Sequence, residues 1–265
     1  MGIWCHDSKR EVPGFYKILD QNANKMIDIP ADGNIVILTG AGISKGSGLD
    51  TFRGNGGLWQ GFRVEKVASP HAFHENPSMV HSFYNERKAI LLDEKIKPNA
   101  AHAALAKLEE CWQGKVTIVT QNVDNLHERA GSKNLIHMHG ELLKALCISC
   151  DTVNVWPDEM NTESECKKCG QVGSMRVHVV WFCEMPLKMK EIEHLLRECD
   201  AFLSIGTSGN VYPAADFIDL VSHYGNAKTV ELNIESSLNA DQFSRGIYGA
   251  ATEIVPQFID RLMGR

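Results

Sequence analysis

The sequence predicts an open α/β fold: a parallel sheet with helices on both faces, joined to a helical insertion and a small cysteine-rich lobe. Three observations lead there. Five short apolar runs end abruptly in glycine or polar clusters. Helix-like stretches lie between them. Two segments, 45–98 and about 144–176, break the rhythm. Runs rich in Val, Ile and Leu with little alternation suit strands buried on both faces, and strands alternating with helices imply a parallel sheet.

The first run is "NIVILTGAG", Asn34 to Gly42, which passes from a strand into closely spaced glycines and a helix start. Glycines let a backbone approach a phosphate, and the free N–H groups of a helix N-terminus attract its charge. A dinucleotide fingerprint wants a third glycine at position 45, where this chain has Lys45, so phosphate site and plain tight turn both remain open. Segment 45–98 holds no convincing buried strand and reads as loop plus helices. "AAHAALAKLEECW", Ala100 to Trp112, has apolar residues at helical spacing. The second strand is "KVTIVTQNVD", Lys115 to Asp124, and the third is "VHVVWFCE", Val177 to Glu184. A helix over Leu187 to Cys199 leads to the fourth strand, Ala201 to Gly209. The fifth is Lys228 to Glu235. Ligands of open α/β sheets bind at the carboxyl ends of the strands, so "TGAGIS", "TQNVD", "GTSG" and "LNIE" form the candidate site.

Four of the eight cysteines fall in the pattern Cys147-x2-Cys150-x15-Cys166-x2-Cys169. That spacing fits a tetrahedral zinc site, and four thiolates leave no position open for water or substrate. The metal is therefore expected to be structural. "HMHGE", His137 to Glu141, then needs an account without metal. A neutral imidazole near pH 7 is a natural general base and equally a structural hydrogen-bonder.

Composition narrows the function. The 265 residues are 43% hydrophobic and 23% charged, with a net charge of −6 and no long basic run. That argues against nucleic acid as main partner, yet leaves room for a basic peptide. No run approaches eighteen apolar residues, and "MGIWCHDSKREVPGF" holds no long apolar stretch, so neither membrane span nor secretory signal is expected. Thiolate metal sites suit a reducing compartment, so the expectation is a cytoplasmic monomer.

The motifs "GAGIS", "SGLDTFRG", "GLW", "TQNVDNLHERAGS", "HMHGEL", "VVWF", "GTSG", "VYPAA" and "ELNIE" together resemble the sirtuins, NAD-dependent protein-lysine deacylases, over about Asn34 to Pro256. The resemblance implies a Rossmann-type NAD-binding large domain (1–44, 99–143 and 177–265) and a zinc-ribbon lobe (144–176). It makes 45–98 a helical insertion carrying the cofactor loop and acyl pocket. By matching motif, Gly40, Ala41, Gly42 and Ser44 would face the diphosphate. Thr51, Phe52, Arg53 and Trp59 would line the pocket over the nicotinamide ribose. Gln121, Asn122, Val123 and Asp124 would hold the ribose and carboxamide, with Asn122 and Asp124 counted among the catalytic residues. Gly206, Thr207 and Ser208 would bind the adenosine side, with Asn233, Ile234 and Glu235 near its ribose and Ala251 at the adenine. His139 matches the catalytic base and His137 is read as structural. Val180, Trp181 and Phe182 would meet the acylated lysine substrate by strand addition. The cofactors implied are NAD as co-substrate and one zinc.

The chain departs from the family at Cys183, where glycine is usual, and at Gly46, where an acidic residue is frequent. A side chain at 183 strains the backbone if φ is positive. "FYNERK" places Tyr84 and Arg87 three apart, on one face of a helix. Spacing alone suggests a surface Arg and a half-buried Tyr. The resemblance is to the class III branch, whose acyl pocket carries this pair to bind the distal carboxylate of succinyl- or malonyl-lysine, and it implies desuccinylase and demalonylase activity with some deacetylase activity retained. Rival readings are a mono-ADP-ribosyltransferase using the same NAD site, a nicotinamide dehydrogenase and a zinc-ribbon nucleic-acid module. The last two fit poorly: the fingerprint is loose and the net charge is acidic.

Overall fold

A computed structural model describes residues 27–50, 58–59, 62–225 and 227–264. Thr51, Phe52 and Arg53 lie outside the described residues, as does the side chain of Trp59. In chain order the elements begin with β1 (Ile35–Thr39), α1 (Ala41–Ser44), the short hairpin β2 (Leu58–Trp59) and β3 (Phe62–Arg63), α2 (Pro70–Glu75), α3 (Pro77–Leu92) and α4 (Ala100–Cys111). There follow β4 (Val116–Thr120), α5 (Leu126–Ala130), β5 (Leu135–His137), β6 (Gly140–Cys147), β7 (Val153–Val155) and β8 (Met175–Val179). The chain continues through α6 (Met189–Glu198), β9 (Ala201–Ile205), α7 (Phe217–Tyr224), β10 (Lys228–Asn233), β11 (Arg245–Tyr248) and α8 (Ala251–Leu262).

The five residues of β1 are all buried because both of its faces are covered. Ile35 and Ile37 point into a core with Leu105 and Leu108 of α4 and Phe258 and Ile259 of α8. Val36 and Leu38 point the other way, against Ile192 and Leu196 of α6 and Phe217 and Val221 of α7. The period of two thus feeds two cores, and each fully buried Ile or Leu contributes about 1.5–3 kcal/mol. α4 starts where the Asn99 side chain accepts the Ala101 N–H (2.9 Å) and the Nδ1 of His102 accepts the Asn99 N–H (3.3 Å).

The six-stranded sheet has the order β11-β10-β9-β1-β4-β5, with every pair parallel. From β1 the chain builds outward through β4 and β5, then returns to the other side of β1 with β9 and builds through β10 and β11. The direction of winding reverses between β1 and β9, and such a switch point opens a crevice at the carboxyl ends of the strands.

The expected third strand is corrected by the structure. Met175–Val179 forms β8, which pairs antiparallel with β6 in a separate three-stranded sheet, β7-β6-β8, and is not part of the parallel sheet. Its apolar run has another cause: Val177 and Val179 pack against Val80, Phe83 and Tyr84 of α3, while Met175 packs with Cys147 and Cys166. Two strands that the apolar runs had not marked, β5 and β11, form the edges of the parallel sheet. Among the described residues, no helix is long and apolar enough to cross a membrane.

At the switch point, a Cβ on Gly42 would lie 2.6 Å from the Gly206 Cα and 2.8 Å from its carbonyl oxygen. Both are backbone atoms, so no rotamer change relieves the contact. Gly42→Ala is expected to cost about 1–3 kcal/mol and to lower the melting temperature by several degrees. Gly225→Ala, where the nearest atom would be 3.6 Å away, serves as the neutral control. Identical melts for the two variants would refute the close contact.

Candidate active site

Three loops meet above β1, β4 and β9. The Gly40 N–H donates to the Ile205 carbonyl (3.0 Å), and the Gly42 N–H donates to the Gly206 carbonyl (2.9 Å). Gly206 has φ +64, and a Cβ there would sit 2.6 Å from the Ile43 nitrogen. The glycines of "TGAG" and "IGTSG" therefore fit each other, backbone to backbone. Ala41 is half-buried at the start of α1 and Ser44 is buried at its end. Thr207 is buried, its hydroxyl 2.8 Å from that of Ser204, and its carbonyl accepts the Asn233 side-chain amide at 2.6 Å. Ser208 is half-buried beside it, whereas Ile234 and Glu235 are exposed and Ala251 is half-buried at the head of α8. Leu38, Gln121, Thr207 and Ser208 line an open cleft of about 280 Å³.

Beneath the loops lies a buried polar network. The Ser44 hydroxyl donates to Asp124 Oδ2 (3.0 Å) and accepts from the Asn122 amide (3.2 Å), which also reaches the Gly40 carbonyl (3.2 Å). Asp124 Oδ1 accepts the Leu126 N–H (3.0 Å). Burial raises the Asp124 pKa, while the Leu126 and Ser44 hydrogen bonds oppose that shift. The Thr39 hydroxyl donates to that of Thr120 (2.9 Å), so the Nε2–H of His127, 3.0 Å away, donates to Thr39. The rings of His102 and His127 meet edge to face, with centroids 4.9 Å apart. Burial lowers the pKa of His102 to about 4, and burial with the charges of His102 and His137 lowers that of His127 to about 3, so both are neutral at neutral pH.

His137 and His139 leave β5 on adjoining backbone carbonyls. His139 Nδ1 lies 3.1 Å from the Gln121 carbonyl, and His137 Nδ1 lies 3.2 Å from that of Asn122. A carbonyl only accepts, so both Nδ1 atoms carry hydrogen. For His139 this leaves Nε2 with its lone pair. Burial lowers the pKa of His139, opposed by the Gln121 hydrogen bond. His137 instead pairs with Glu128 (2.7 Å), and although burial opposes charge, that carboxylate, helped by Glu141, raises its pKa.

The Val180 N–H donates to the His139 carbonyl (2.9 Å), which brings the segment after β8 beside the histidine. Trp181 is buried, and its indole N–H donates to the Tyr84 hydroxyl (2.9 Å), while Phe182 is exposed. Cys183 has φ +70, so the strain expected of a non-glycine residue is present, at roughly 1–2 kcal/mol. The turn holds because Glu184 accepts from both terminal nitrogens of Arg176 (2.6 and 3.0 Å) and from the Trp181 N–H (2.8 Å). Tyr84 and Arg87 are both buried on α3, 2% and 6% exposed, so neither is the surface residue that spacing alone suggested. The Arg87 guanidinium sits 3.2 Å over the Phe83 ring. Tyr84 and Trp181 line a neighbouring cleft of about 220 Å³, whose described lining does not include Arg87.

The four cysteines close on one point. Cys147 and Cys169 sulfurs are 3.7 Å apart, as are those of Cys150 and Cys166, and all four lie within 4.8 Å of one another. Zinc–thiolate bonds of about 2.3 Å put tetrahedral ligands about 3.8 Å apart, so the sulfurs fit a zinc ion with no position left open.

A model of the Sir2 family matches residues 40–213. The chain belongs to the Sir2 family. It is 56% identical to SIR2rp3 of Leishmania major, an NAD-dependent protein deacylase, over 86% of this chain and 95% of that protein. It is 52% identical to an NAD-dependent protein deacylase of Pasteurella multocida, over 86% and 97% of the two chains. Among solved structures, a complex of a Sir2 homologue with NAD is 35% identical, with a TM-score of 0.79 over 88% of this chain and 91% of the other. A complex of Sir2 with a p53 peptide and NAD+ is 28% identical, with a TM-score of 0.72 over 87% and 94%.

In this Sir2 family chain, the residues that sequence reasoning missed are the buried partners. Thr39, Thr120, His102 and His127 support the loops without belonging to any loop motif. One signal was legible: His102 sits three residues before Leu105 in an otherwise apolar helix face, where a polar side chain needs a partner.

The zinc assignment has a direct test. The lobe's core consists of Ala145, Met160, Met175 and two of the cysteines themselves. Cys166→Ala is expected to release the metal and lower the melting temperature markedly, read by metal analysis and thermal unfolding. Full zinc content at unchanged stability would exclude a four-thiolate site.

Proposed function

We propose that this Sir2 family enzyme, an NAD-dependent protein deacylase, removes succinyl and malonyl groups from lysine in preference to acetyl groups, releasing nicotinamide and an O-acyl-ADP-ribose. Bound NAD would supply the leaving nicotinamide and the ribose hydroxyl that receives the acyl group. The four thiolates would hold one structural zinc. Residues 1–44, 99–143 and 177–265 would act as the NAD-binding part, 45–98 as the cofactor loop and acyl pocket, and 144–176 as the zinc lobe.

The roles follow from chemistry already described. Gly40, Ala41, Gly42 and Ser44 would take the diphosphate. Gly206, Thr207, Ser208, Asn233, Ile234, Glu235 and Ala251 would surround the adenosine. Thr51, Phe52, Arg53 and Trp59 would cover the nicotinamide ribose. Gln121, Asn122, Val123 and Asp124 would hold that ribose and the carboxamide, on a loop tied down through Ser44 and Gly40. His139 would be the general base: its Nδ1–H is committed to the Gln121 carbonyl, and a lowered pKa keeps Nε2 free of a proton near pH 7. Val180, Trp181 and Phe182 would meet the acylated peptide, since Val180 is bonded to His139.

The observation that carries the acyl preference is the burial of Tyr84 and Arg87 on one face of α3. Burial pulls the Arg87 pKa down to about 10, opposed by Glu86, so the cation is held where water solvates it poorly. A guanidinium fork there favours a carboxylate, and a phenol adds a donor. An acetyl group offers neither of them a charged partner.

Arg87→Met should therefore lower kcat/KM for succinyl-lysine peptide by about 100-fold and leave that for acetyl-lysine within about twofold, scored by mass spectrometry of the peptides. Equal losses on both would show that Arg87 supports the fold instead. His139→Ala should keep NAD affinity, read by calorimetry, while turnover falls by about 10²–10⁴. Near-normal turnover would remove His139 from the mechanism, and label from NAD accumulating on protein would favour ADP-ribosyl transfer.

A further inference from the structure

We propose that Glu128, His137 and Glu141 form a second metal site, separate from the four thiolates, for a divalent transition-metal cation. The three come from α5, β5 and β6, and each offers one ligand atom within 4.8 Å of the others. The histidine is prepared for the role. Its side chain is only 10% exposed, and its Nδ1–H is fixed by the Asn122 carbonyl at 3.2 Å. That directs Nε2 at the carboxylates, 2.7 Å from Glu128 Oε1. An imidazole whose second nitrogen is anchored on a backbone carbonyl is the usual arrangement of metal-binding histidines.

A second observation points the same way. His178 stands directly across from Glu141 in the antiparallel pairing of β6 and β8. Side chains so paired share a face, with Cβ atoms about 4.5–5.5 Å apart. The His178 Nδ1 is out of contact with solvent and has no hydrogen-bond partner among the described residues. It is a candidate fourth donor. Lys144 occupies Glu141 at present, but its side chain is 36% exposed and can swing into water. The bland alternative is a His137–Glu128 ion pair beside a Lys144–Glu141 ion pair, which needs no metal.

Imidazole with carboxylates suits Mn2+ and Zn2+, whereas the thiolate centre selects zinc. Mn2+ therefore probes this site alone. A cation at His137 Nε2 would sit one side chain away from the Asn122 carbonyl, and His137 precedes His139 by two residues, so occupancy would act on the loop and base of the catalytic centre.

The test titrates the zinc-loaded full chain with Mn2+ and follows free Mn2+ by electron paramagnetic resonance. One saturable equivalent per chain is expected, displaced by Zn2+. Glu128→Gln and Glu141→Gln should each weaken it by about tenfold or more. Lys144→Met should strengthen it, because it removes the competing cation, a gain that a purely structural pair of salt bridges does not produce. Zinc content and melting temperature check that each variant is folded. No saturable equivalent, or binding indifferent to both Glu→Gln changes, would mean an adventitious ion only and would overturn the site.

Discussion

Gly42 and Gly206 touch backbone to backbone, and the layout of the polar groups above the sheet depends on that contact. It closes the loop after β1 onto the loop after β9 across the switch point, with the Gly42 N–H on the Gly206 carbonyl. The loop after β4 then joins through the Asn122 amide on the Gly40 carbonyl. Each hydrogen bond is worth only about 1 kcal/mol net, but leaving one of these buried groups unpaired costs more. A side chain on either glycine would push the loops apart and separate Ser44 from Asp124 and Asn122.

The network below those loops combines burial with neutrality. Thr39, Thr120, His102 and His127 lie within the sheet's own packing, at most 1% exposed. Charge there is expensive, and burial holds both histidines in the neutral form. Neutral imidazoles can donate with one nitrogen and accept with the other. His102 does so, accepting the Asn99 N–H at Nδ1 and facing Ser44 with Nε2 at 3.5 Å. The start of α4 is thereby tied to the end of α1. Asp124 is the one acid in this shell, and its position is set by two donors on different elements, Ser44 and Leu126.

The strands of the parallel sheet's centre were legible because burial on both faces writes itself as an unbroken apolar run. β8 misled for the same reason: packing between α3 and the cysteine lobe also buries both faces, without a place in the parallel sheet. β11 was silent because its "RGIY" is half-exposed at an edge. The cysteine spacing was legible because metal geometry constrains local sequence. The buried histidines were not, since their partners are 58 and 88 residues away and no local pattern encodes such a contact. The glycines of "TGAG" were noticed for a phosphate, yet they are also required by Gly206, which periodicity does not reveal.

The zinc lobe and the acyl-pocket helix are mechanically one unit. Asn85 on α3 donates to the Met160 carbonyl (2.8 Å) and accepts the Met160 N–H (3.0 Å). One turn on, the Lys88 ammonium donates to the Asp158 carbonyl (2.9 Å). Residues 158–160 belong to the segment between the two cysteine pairs, and Met160 is itself in the lobe's small core beside Cys166. Tyr84 lies one residue from Asn85 and one helical turn from Lys88, and it holds Trp181. The chain of contact therefore runs from the thiolates through Met160 and Asn85 to Tyr84, Trp181 and the Val180–His139 bond. A metal with no open coordination position takes no part in the chemistry, but it stiffens the segment against which the pocket wall is braced.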